Sequence, residues 1–145
     1  MAGKNLLHED SQAVQAHLTI MQSVIQRMAS NCASCKTWCI TLASAMLVLI
    51  ADKGKPEYAW LALIPTILFF ALDTYYLALE RMFRSSYNDF IDKLRHGKII
   101  ASDLYVVMPS GSVIKIFGAS LLSFSIWPFY LMLVIMVIVA KKVII

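Results

Sequence analysis

Charge is scarce in this chain: only 15% of its 145 residues are Asp, Glu, Lys or Arg, whereas 59% are hydrophobic. An average soluble domain carries about 25% charged residues, so the composition argues against a water-soluble fold. Helix breakers are scarce as well, since the chain has five Gly and four Pro and neither type occurs between Ser11 and Gly54. The simplest interpretation of that segment is one unbroken helix.

Sequence patterns of enzymes are missing. The chain has no Gly-rich phosphate loop, no serine nucleophile elbow, no zinc-protease motif and no pair of catalytic carboxylates. Cys32, Cys35 and Cys39 share one helical face, a pattern that metal sites and redox switches also use. No His lies beside them and the cytosol is reducing, so we expect ordinary packing instead. We therefore expect no enzymatic activity and no cofactor or metal.

Three uninterrupted apolar stretches organise the chain, at residues 37–51, 58–79 and 116–140. A helix of about 20 apolar residues crosses a bilayer, and the second and third stretches reach that length. The first is shorter, but residues 32–35 extend it, and a polar turn at 52–57 returns the chain directly into the second. The predicted fold is therefore an all-α integral membrane protein with three spans.

The first two spans are predicted to belong to a long antiparallel hairpin, residues 10–97, that extends into the cytoplasm. Before the first span, apolar residues recur at alternating spacings of four and three, the a/d pattern of a coiled-coil seam. They are Val14, Leu18, Met21, Ile25, Met28, Cys32 and Cys35, and the seam continues through Cys39, Leu42, Met46 and Leu49. A second stripe, from Phe83 to Leu94, is able to pack against it, either in the same chain or between subunits. Gly97 is the natural end of the second helix.

One acidic residue, Asp73, lies inside a predicted span. If the turn is centred near Gly54 and Lys55, residues at equal depth have numbers that sum to about 109, which places Lys36 beside Asp73. An unpaired carboxylate in lipid is costly, so we predict that Lys36 and Asp73 form an intramembrane ion pair, within one subunit or between neighbours. The pair either locks the hairpin or acts as a pore ring, a gating charge or a proton relay.

The C-terminal third divides into two predicted regions. Residues 98–112 form an extended cytoplasmic return segment, which is the stretch most open to a partner or ligand. Residues 113–145 contain either one span kinked at Pro128 or an interfacial helix followed by a third span that begins near Trp127. We favour the second arrangement, because Pro suits the first turn of a helix and Trp suits the headgroup boundary.

Orientation follows from the 13 Lys and Arg residues. Four of them, Lys53, Lys55, Lys141 and Lys142, fall on the side opposite the N-terminus, which leaves nine on the N-terminal side. The N-terminus is therefore predicted to be cytoplasmic and the C-terminus to be outside. The net charge of +4 suits anionic membrane lipid, and no pattern for nucleic-acid binding is present.

Polar side chains inside or next to the spans are candidates to face a pore in an oligomer. They are Thr66, Asp73, Thr74, Ser120, Ser123 and Ser125.

The order of elements over residues 32–94 is a two-span hairpin followed by a cytoplasmic helix, whose residues 80–87 read Glu-Arg-Met-Phe-Arg-Ser-Ser-Tyr. This organisation resembles the SLATT family of two-span effectors. The resemblance implies an inner-membrane protein of a bacterial anti-phage system, which oligomerises and damages the membrane when a sensor is triggered. The expected partners are then membrane lipid, further copies of the chain, and a soluble sensor protein or a nucleotide signal at the cytoplasmic helices.

Two functions are predicted on this basis. The first is a homo-oligomeric inner-membrane effector or channel that permeabilises the bilayer. The alternative is a membrane anchor or adaptor that recruits a soluble partner through its cytoplasmic helices, where Gln22, Arg27, Asp89 and Lys93 are predicted to be exposed.

Overall fold

The computed structural model describes residues 10–143, and within that range the chain is helical with no strand. The all-helical class predicted from the sequence is confirmed. The α-helices are α1 (Gln12–Asp52), α2 (Leu63–Arg95), α3 (Val113–Leu121) and α4 (Trp127–Val143). Two 3-10 helices, Pro56–Ala62 and Ala101–Asp103, lie in the connections before α2 and α3.

Two helical segments in the described range are long and apolar enough to cross a membrane. They are Gln12–Asp52 and Glu57–Arg95, whose most apolar 18 residues have mean hydropathies of 1.6 and 1.7. Only 22% and 33% of those stretches are buried inside the protein, so most of their apolar surface faces outward. The third apolar helix, α4, has 17 residues and is about 25 Å long, and it is not among these two.

Helices α1 and α2 pack against each other with opposite chain directions. Gln22 Nε2 lies 3.1 Å from Tyr87 Oη, and Cys39 Sγ lies 3.9 Å from the carbonyl oxygen of Pro65. The two helices are therefore antiparallel. The paired length covers most of both helices.

Both long helices end in the same glycine motif. Gly54 has a φ of 60° and Gly97 a φ of 62°, a left-handed conformation that glycine adopts without a steric penalty. After α1, Lys55 N–H donates to Ile50 and Gly54 N–H to Ala51; after α2, Lys98 and Gly97 repeat the pattern with Lys93 and Leu94. These are Schellman motifs, which satisfy the last carbonyl groups of a helix.

The buried stripe of α1 departs from the predicted seam in its second half. Val14, Met21, Met28, Cys32 and Cys35 are buried, and Leu18 and Ile25 are half-buried. Beyond Cys39, however, Leu42 and Leu49 are 42% and 64% exposed and Met46 is half-buried, whereas Ala43, Leu47 and Ile50 are buried. The stripe from Val14 to Ile50 spans 36 positions in about ten turns of 3.6 residues, so the heptad prediction was wrong there, because a straight helix drifts away from a 3.5-residue repeat.

The α-helical part of the second apolar stretch begins later than its composition indicates. Residues Pro56–Ala62 form a 3-10 helix, and α2 starts at Leu63. Pro65 is thereby the third residue of α2, within the first turn, where the i→i−4 pattern of the α-helix does not use its N–H.

The remaining segments pack against the two ends of the α1–α2 pair. Near the turn, α4 lies along α1 and the start of α2, with Ile126, Tyr130 and Leu133 around Cys39, and Val137 against Leu47, Ala59 and Ala62. At the other end, residues 98–112 fold back over the hairpin and place Ile99 in a cluster with Val14, Met21, Phe90 and Leu94. The protein therefore has a separate core at each end of the α1–α2 pair.

Candidate functional site

The central feature is an ion pair between α1 and α2. Lys36 Nζ lies 2.5 Å from Asp73 Oδ2 within the same chain. The Asp73 side chain is fully buried, whereas that of Lys36 keeps 23% of its surface exposed. Asp73 Oδ1 is buried and accepts no hydrogen bond from any described residue, so the carboxylate uses only part of its bonding capacity.

The cysteines lie next to this pair. Cys32, Cys35 and Cys39 are buried and reduced, and Cys32 Sγ is 3.8 Å from the backbone oxygen of Asp73. Among residues 10–143, no three His, Cys, Asp or Glu side chains are close enough together to hold a metal ion. The three sulfur atoms pack between the helices.

Arg81 joins α2 to the start of the C-terminal region. Its guanidinium donates to Ser120 Oγ at 3.3 Å and to Ser123 Oγ at 2.9 Å. Ser120 is fully buried. This contact anchors α3 and the turn after it to α2. No spacing rule pairs residues about 40 positions apart, so it was not predictable from the sequence.

The six candidate pore residues lie mostly inside one chain. Thr66 and Thr74 are buried and donate to the backbone oxygens of Ala62 and Phe70 in their own helix, at 2.9 and 2.8 Å. Asp73, Ser120 and Ser123 make the contacts described above, and Ser125 is exposed. In this conformation four of the six are therefore buried in the interior of the chain, and Ser123 is half-buried.

A second polar site lies at the opposite end of the hairpin, under the return segment. An open cavity of about 340 Å³ is lined by α1, α2 and residues 102–110. Its polar lining includes His17, Ser86, Asp89, Lys93, Asp103 and Ser110. Ser110 Oγ donates to Asp89 Oδ2 at 2.8 Å, and Lys93 Nζ is 4.0 Å from Asp103 Oδ1. The return segment thus closes one wall of the cavity through polar contacts.

His17 is the most unusual residue of this cavity, because its side chain is fully buried. Nδ1 accepts a hydrogen bond of 3.0 Å from the backbone N–H of Tyr105, and the ring packs on Phe90 with centroids 4.4 Å apart. Burial lowers the pKa of His17, and the carboxylate of Asp103 opposes that effect in part. Tyr105 itself has a φ of 63°, which costs a non-glycine residue about 1 kcal/mol.

The hydrogen bond from Tyr105 fixes the proton of His17. A backbone N–H only donates, so Nδ1 carries no proton and the ring is neutral with its hydrogen on Nε2. No described protein atom pairs with Nε2, although it is buried. Sequence reasoning missed His17. It lies three residues after Val14 and four before Met21, on the buried stripe, and that position was the available signal.

Comparison of the chain with protein-family models, with curated proteins and with solved structures finds no match. The resemblance to the SLATT family therefore stays a prediction from the sequence.

Proposed function

We propose that this chain is a homo-oligomeric, multi-pass effector of the bacterial inner membrane, whose assembled spans rearrange to permeabilise the bilayer, in an anti-phage response. The observation that carries the proposal is the incompletely bonded Asp73 carboxylate inside a bundle whose outer surface is apolar.

Membrane insertion is supported by the distribution of apolar and polar side chains in the half of the hairpin between Asp73 and the turn. Large apolar residues there point outward, with exposures of 68% for Val48, 62% for Ile64 and 67% for Ile67. A soluble protein rarely leaves so large a continuous apolar surface uncovered. In the same region Asp73, Thr66 and Thr74 are buried. The exposed Thr37 and Thr41 donate to backbone oxygens of their own helix, so their hydroxyl groups are bonded as lipid requires.

Exposed aromatic rings mark two levels of this surface. Trp38 and Tyr75 are 60% and 51% exposed near the ion pair, and Tyr58 and Trp60 are 48% and 47% exposed near the turn. Aromatic residues favour the two headgroup regions of a bilayer. From Lys36 to Asp52 the rise is about 24 Å, slightly less than a hydrocarbon core of about 30 Å. The ion pair therefore belongs just inside one boundary.

The third span is supported by the position of α4, which runs from the level of the ion pair to the turn. Tyr130 Oη donates to Phe69 O at 3.0 Å, and Lys141 Nζ lies 4.7 Å from the ring centre of Trp60. Its outer face is apolar, with Met132 67% exposed. Helix α3 leaves Ile114 86% exposed, as suits an interfacial helix. With the N-terminus cytoplasmic, the excess of Lys and Arg lies inside.

The ion pair supports a rearrangement rather than a static anchor. A buried carboxylate with an unused oxygen loses solvation that its partner only partly replaces. Contact of Asp73 with water or with a neighbouring subunit would recover that loss, so an opened assembly competes with the closed chain. Because Thr66, Thr74 and Ser120 are bonded inside the closed chain, a polar path has to form by movement of the helices.

The test is graded expression of the full-length chain in bacteria, with membrane potential as the readout and the subunit number measured after extraction into lipid nanodiscs. We expect several copies per particle and depolarisation above a threshold of expression. Asp73→Asn weakens the closed arrangement and should lower that threshold, whereas Arg84→Gln, which removes an exposed pair with Glu80, should leave it unchanged. One copy per particle together with a stable potential at every expression level would refute the proposal.

An anchor or adaptor function is the second candidate, because the end of the hairpin away from the turn has polar groups on its outer surface. Gln22, Arg27, Asp89 and Lys93 are all exposed, as predicted. Three of them, Gln22, Asp89 and Lys93, also make contacts within the chain. This function predicts a soluble protein that co-purifies with the wild type and is lost on Arg27→Glu, in cells whose potential never changes.

A further inference from the structure

We propose that Arg81 and an apolar groove between α2 and α4 form a binding site for one phospholipid with a net negative headgroup. Its phosphate lies at the Arg81 guanidinium, and one of its acyl chains lies in the groove. This inference rests on the membrane insertion argued above and not on permeabilisation of the bilayer.

The first reason is that Arg81 has no anionic partner. Its guanidinium donates to the hydroxyl groups of Ser120 and Ser123, which are neutral. In the part of the chain that the structure describes, no Asp or Glu oxygen lies within 4.0 Å of it, and the adjacent Glu80 pairs with Arg84. The side chain is half-buried, so water solvates its permanent charge only in part. Donors and a positive charge are thus available to an anion.

The second reason is the level of Arg81 in the membrane. It follows Asp73 by eight residues on α2 and therefore lies about 12 Å further from the turn. With the membrane placed as above, the ion pair is about 6 Å inside the hydrocarbon boundary, and the headgroup region beyond that boundary is about 5–7 Å thick. Side chains lean towards the N-terminus of their helix, which for α2 is the turn. The guanidinium therefore reaches the level of the lipid phosphates.

The third reason is the groove, which encloses about 300 Å³ between α2 and α4. From Trp127 to Val134 it extends about 10 Å along α4. Ile67 in its wall is 67% exposed, so the groove opens to the surroundings of the protein. The hydroxyl groups of Thr66 and Tyr130 in the wall donate to backbone oxygens. Their hydrogens are therefore used within the chain, and the wall suits a hydrocarbon chain.

Ser123 places the cation and the groove next to each other. Its Oγ accepts from Arg81 at 2.9 Å, and its backbone oxygen accepts from Trp127 N–H at 3.2 Å. The guanidinium thus lies beside the first turn of α4, where the groove begins. A phospholipid has the same order of groups, because its phosphate lies directly above its acyl chains. It would fill both features at once, whereas a soluble anion would fill only the first.

Fluorescence quenching of Trp127 tests the proposal. The chain has three Trp residues, and replacement of Trp38 and Trp60 by Phe leaves Trp127 as the reporter in the full-length protein. This parent chain is reconstituted in phosphatidylcholine vesicles that contain a small fraction of lipid with brominated acyl chains, which quench Trp on contact. We expect brominated phosphatidylglycerol to bind at Trp127 at least about threefold more tightly than brominated phosphatidylcholine, because of the charge of Arg81.

Two pairs of variants of the parent chain separate the site from general attraction. Arg81→Gln should abolish the preference, whereas Arg84→Gln, which removes an equal charge from a side chain that is 61% exposed, should retain it. Val134→Phe should fill the groove and also abolish the preference. Val139→Phe should retain it, because this residue is 52% exposed and does not line the groove.

The possible failures are distinguishable from one another. Equal affinity for the two lipids in the parent chain, or equal loss in both Arg variants, would overturn the lipid site and leave the effector function standing. Loss of the preference on addition of inorganic phosphate would assign Arg81 to a soluble anion, and its loss at high protein density would assign the groove to a second copy. No quenching by either lipid would overturn membrane insertion, and with it both proposals.

Discussion

The two ends of the α1–α2 pair bury similar stripes but expose opposite surfaces. At the end near the turn, Val48, Leu49 and Ile67 face outward, and Asp73 is fully buried. At the far end, Val14 and Met21 are inside, and the outward positions of α1 include Gln22, Gln26 and Arg27. One continuous helix thus reverses the polarity of its outer face near Lys36.

Burial within the chain therefore does not depend on what surrounds the chain. Both ends need interlocking side chains, but they differ in what their outer residues meet. Lipid accepts apolar side chains and requires polar groups to be bonded inside, whereas water accepts the reverse. The change of outer polarity at Lys36, more than any single residue, locates the boundary that we propose for the membrane.

The largest effect should follow from breaking the ion pair at this boundary. Asp73→Asn or Lys36→Gln leaves one charge unpaired at a buried site, and we expect each to lower the free energy of unfolding by about 3 kcal/mol. The double variant should recover at least about 1 kcal/mol relative to the sum. Denaturation in lipid nanodiscs measures this. Strict additivity would show that the two charges do not interact.

The matched control for that measurement is the pair of Glu80 and Arg84, which lie one helical turn apart at 2.6 Å, with the Arg84 side chain 61% exposed. Removing it should cost no more than about 0.5 kcal/mol.

The far end is tested by truncating a buried side chain of its core. Met21 is 2% exposed, whereas its neighbour Ile20 is 40% exposed. Met21→Ala should lower stability by about 2–3 kcal/mol, and Ile20→Ala by less than about 0.5 kcal/mol. Amide hydrogen exchange of residues 14–28 reports the same loss locally. Equal effects of the two substitutions would mean that this half of α1 is not packed on α2.

Glycine-to-alanine substitutions should have opposite effects on stability at the helix ends and inside α3. At Gly54 and Gly97 an added Cβ would meet no atom within 4 Å, so alanine there costs only the left-handed backbone, about 1 kcal/mol. Gly118, inside α3, also has space for a Cβ, and Gly118→Ala should stabilise by about 0.5–1 kcal/mol. Thermal unfolding of the three variants in one lipid composition compares them. Destabilisation by Gly118→Ala would indicate a close contact at α3, such as one between copies.

The smallest expected effect is a dependence of stability on pH that arises at the far end, from His17. Burial lowers the pKa of His17 in the folded state, while the unfolded value is about 6.5. Below about pH 6.5 the unfolded chain binds a proton that the folded chain does not, so stability falls as the pH drops towards the folded pKa, and is flat above 6.5.

His17→Phe should remove this component of the pH dependence, and exchange of the Tyr105 amide should speed up on acidification in the wild type alone. An unchanged slope in the variant would assign the effect to another group.

Several features of the fold were predictable from the sequence, for local reasons. The absence of Pro and Gly predicts α1, Gly54 and Gly97 predict the two ends, and apolar composition selects the long helices. The register about the turn also places Lys36 opposite Asp73, and the structure has the two side chains in contact. Each of these depends on spacing along a helix or across one turn.

Other features depend on packing that no spacing encodes. The buried stripe of α1 moves to Ala43, Leu47 and Ile50 because it follows the 3.6-residue period of an α-helix and not a heptad. The contacts of Arg81 with Ser120 and of His17 with Tyr105 join residues 39 and 88 positions apart. They form only after α3 and the return segment have docked, so the cavity at His17 was not predictable from the sequence.

An uninterrupted α1 has a mechanical consequence. From His17 to Lys36 the helix rises about 28 Å without a Gly, a Pro or a change of helix type. If this segment tilts as a rigid body by about 5° about one end, its other end moves by about 2.5 Å. That displacement is close to the 2.5 Å distance between Lys36 Nζ and Asp73 Oδ2.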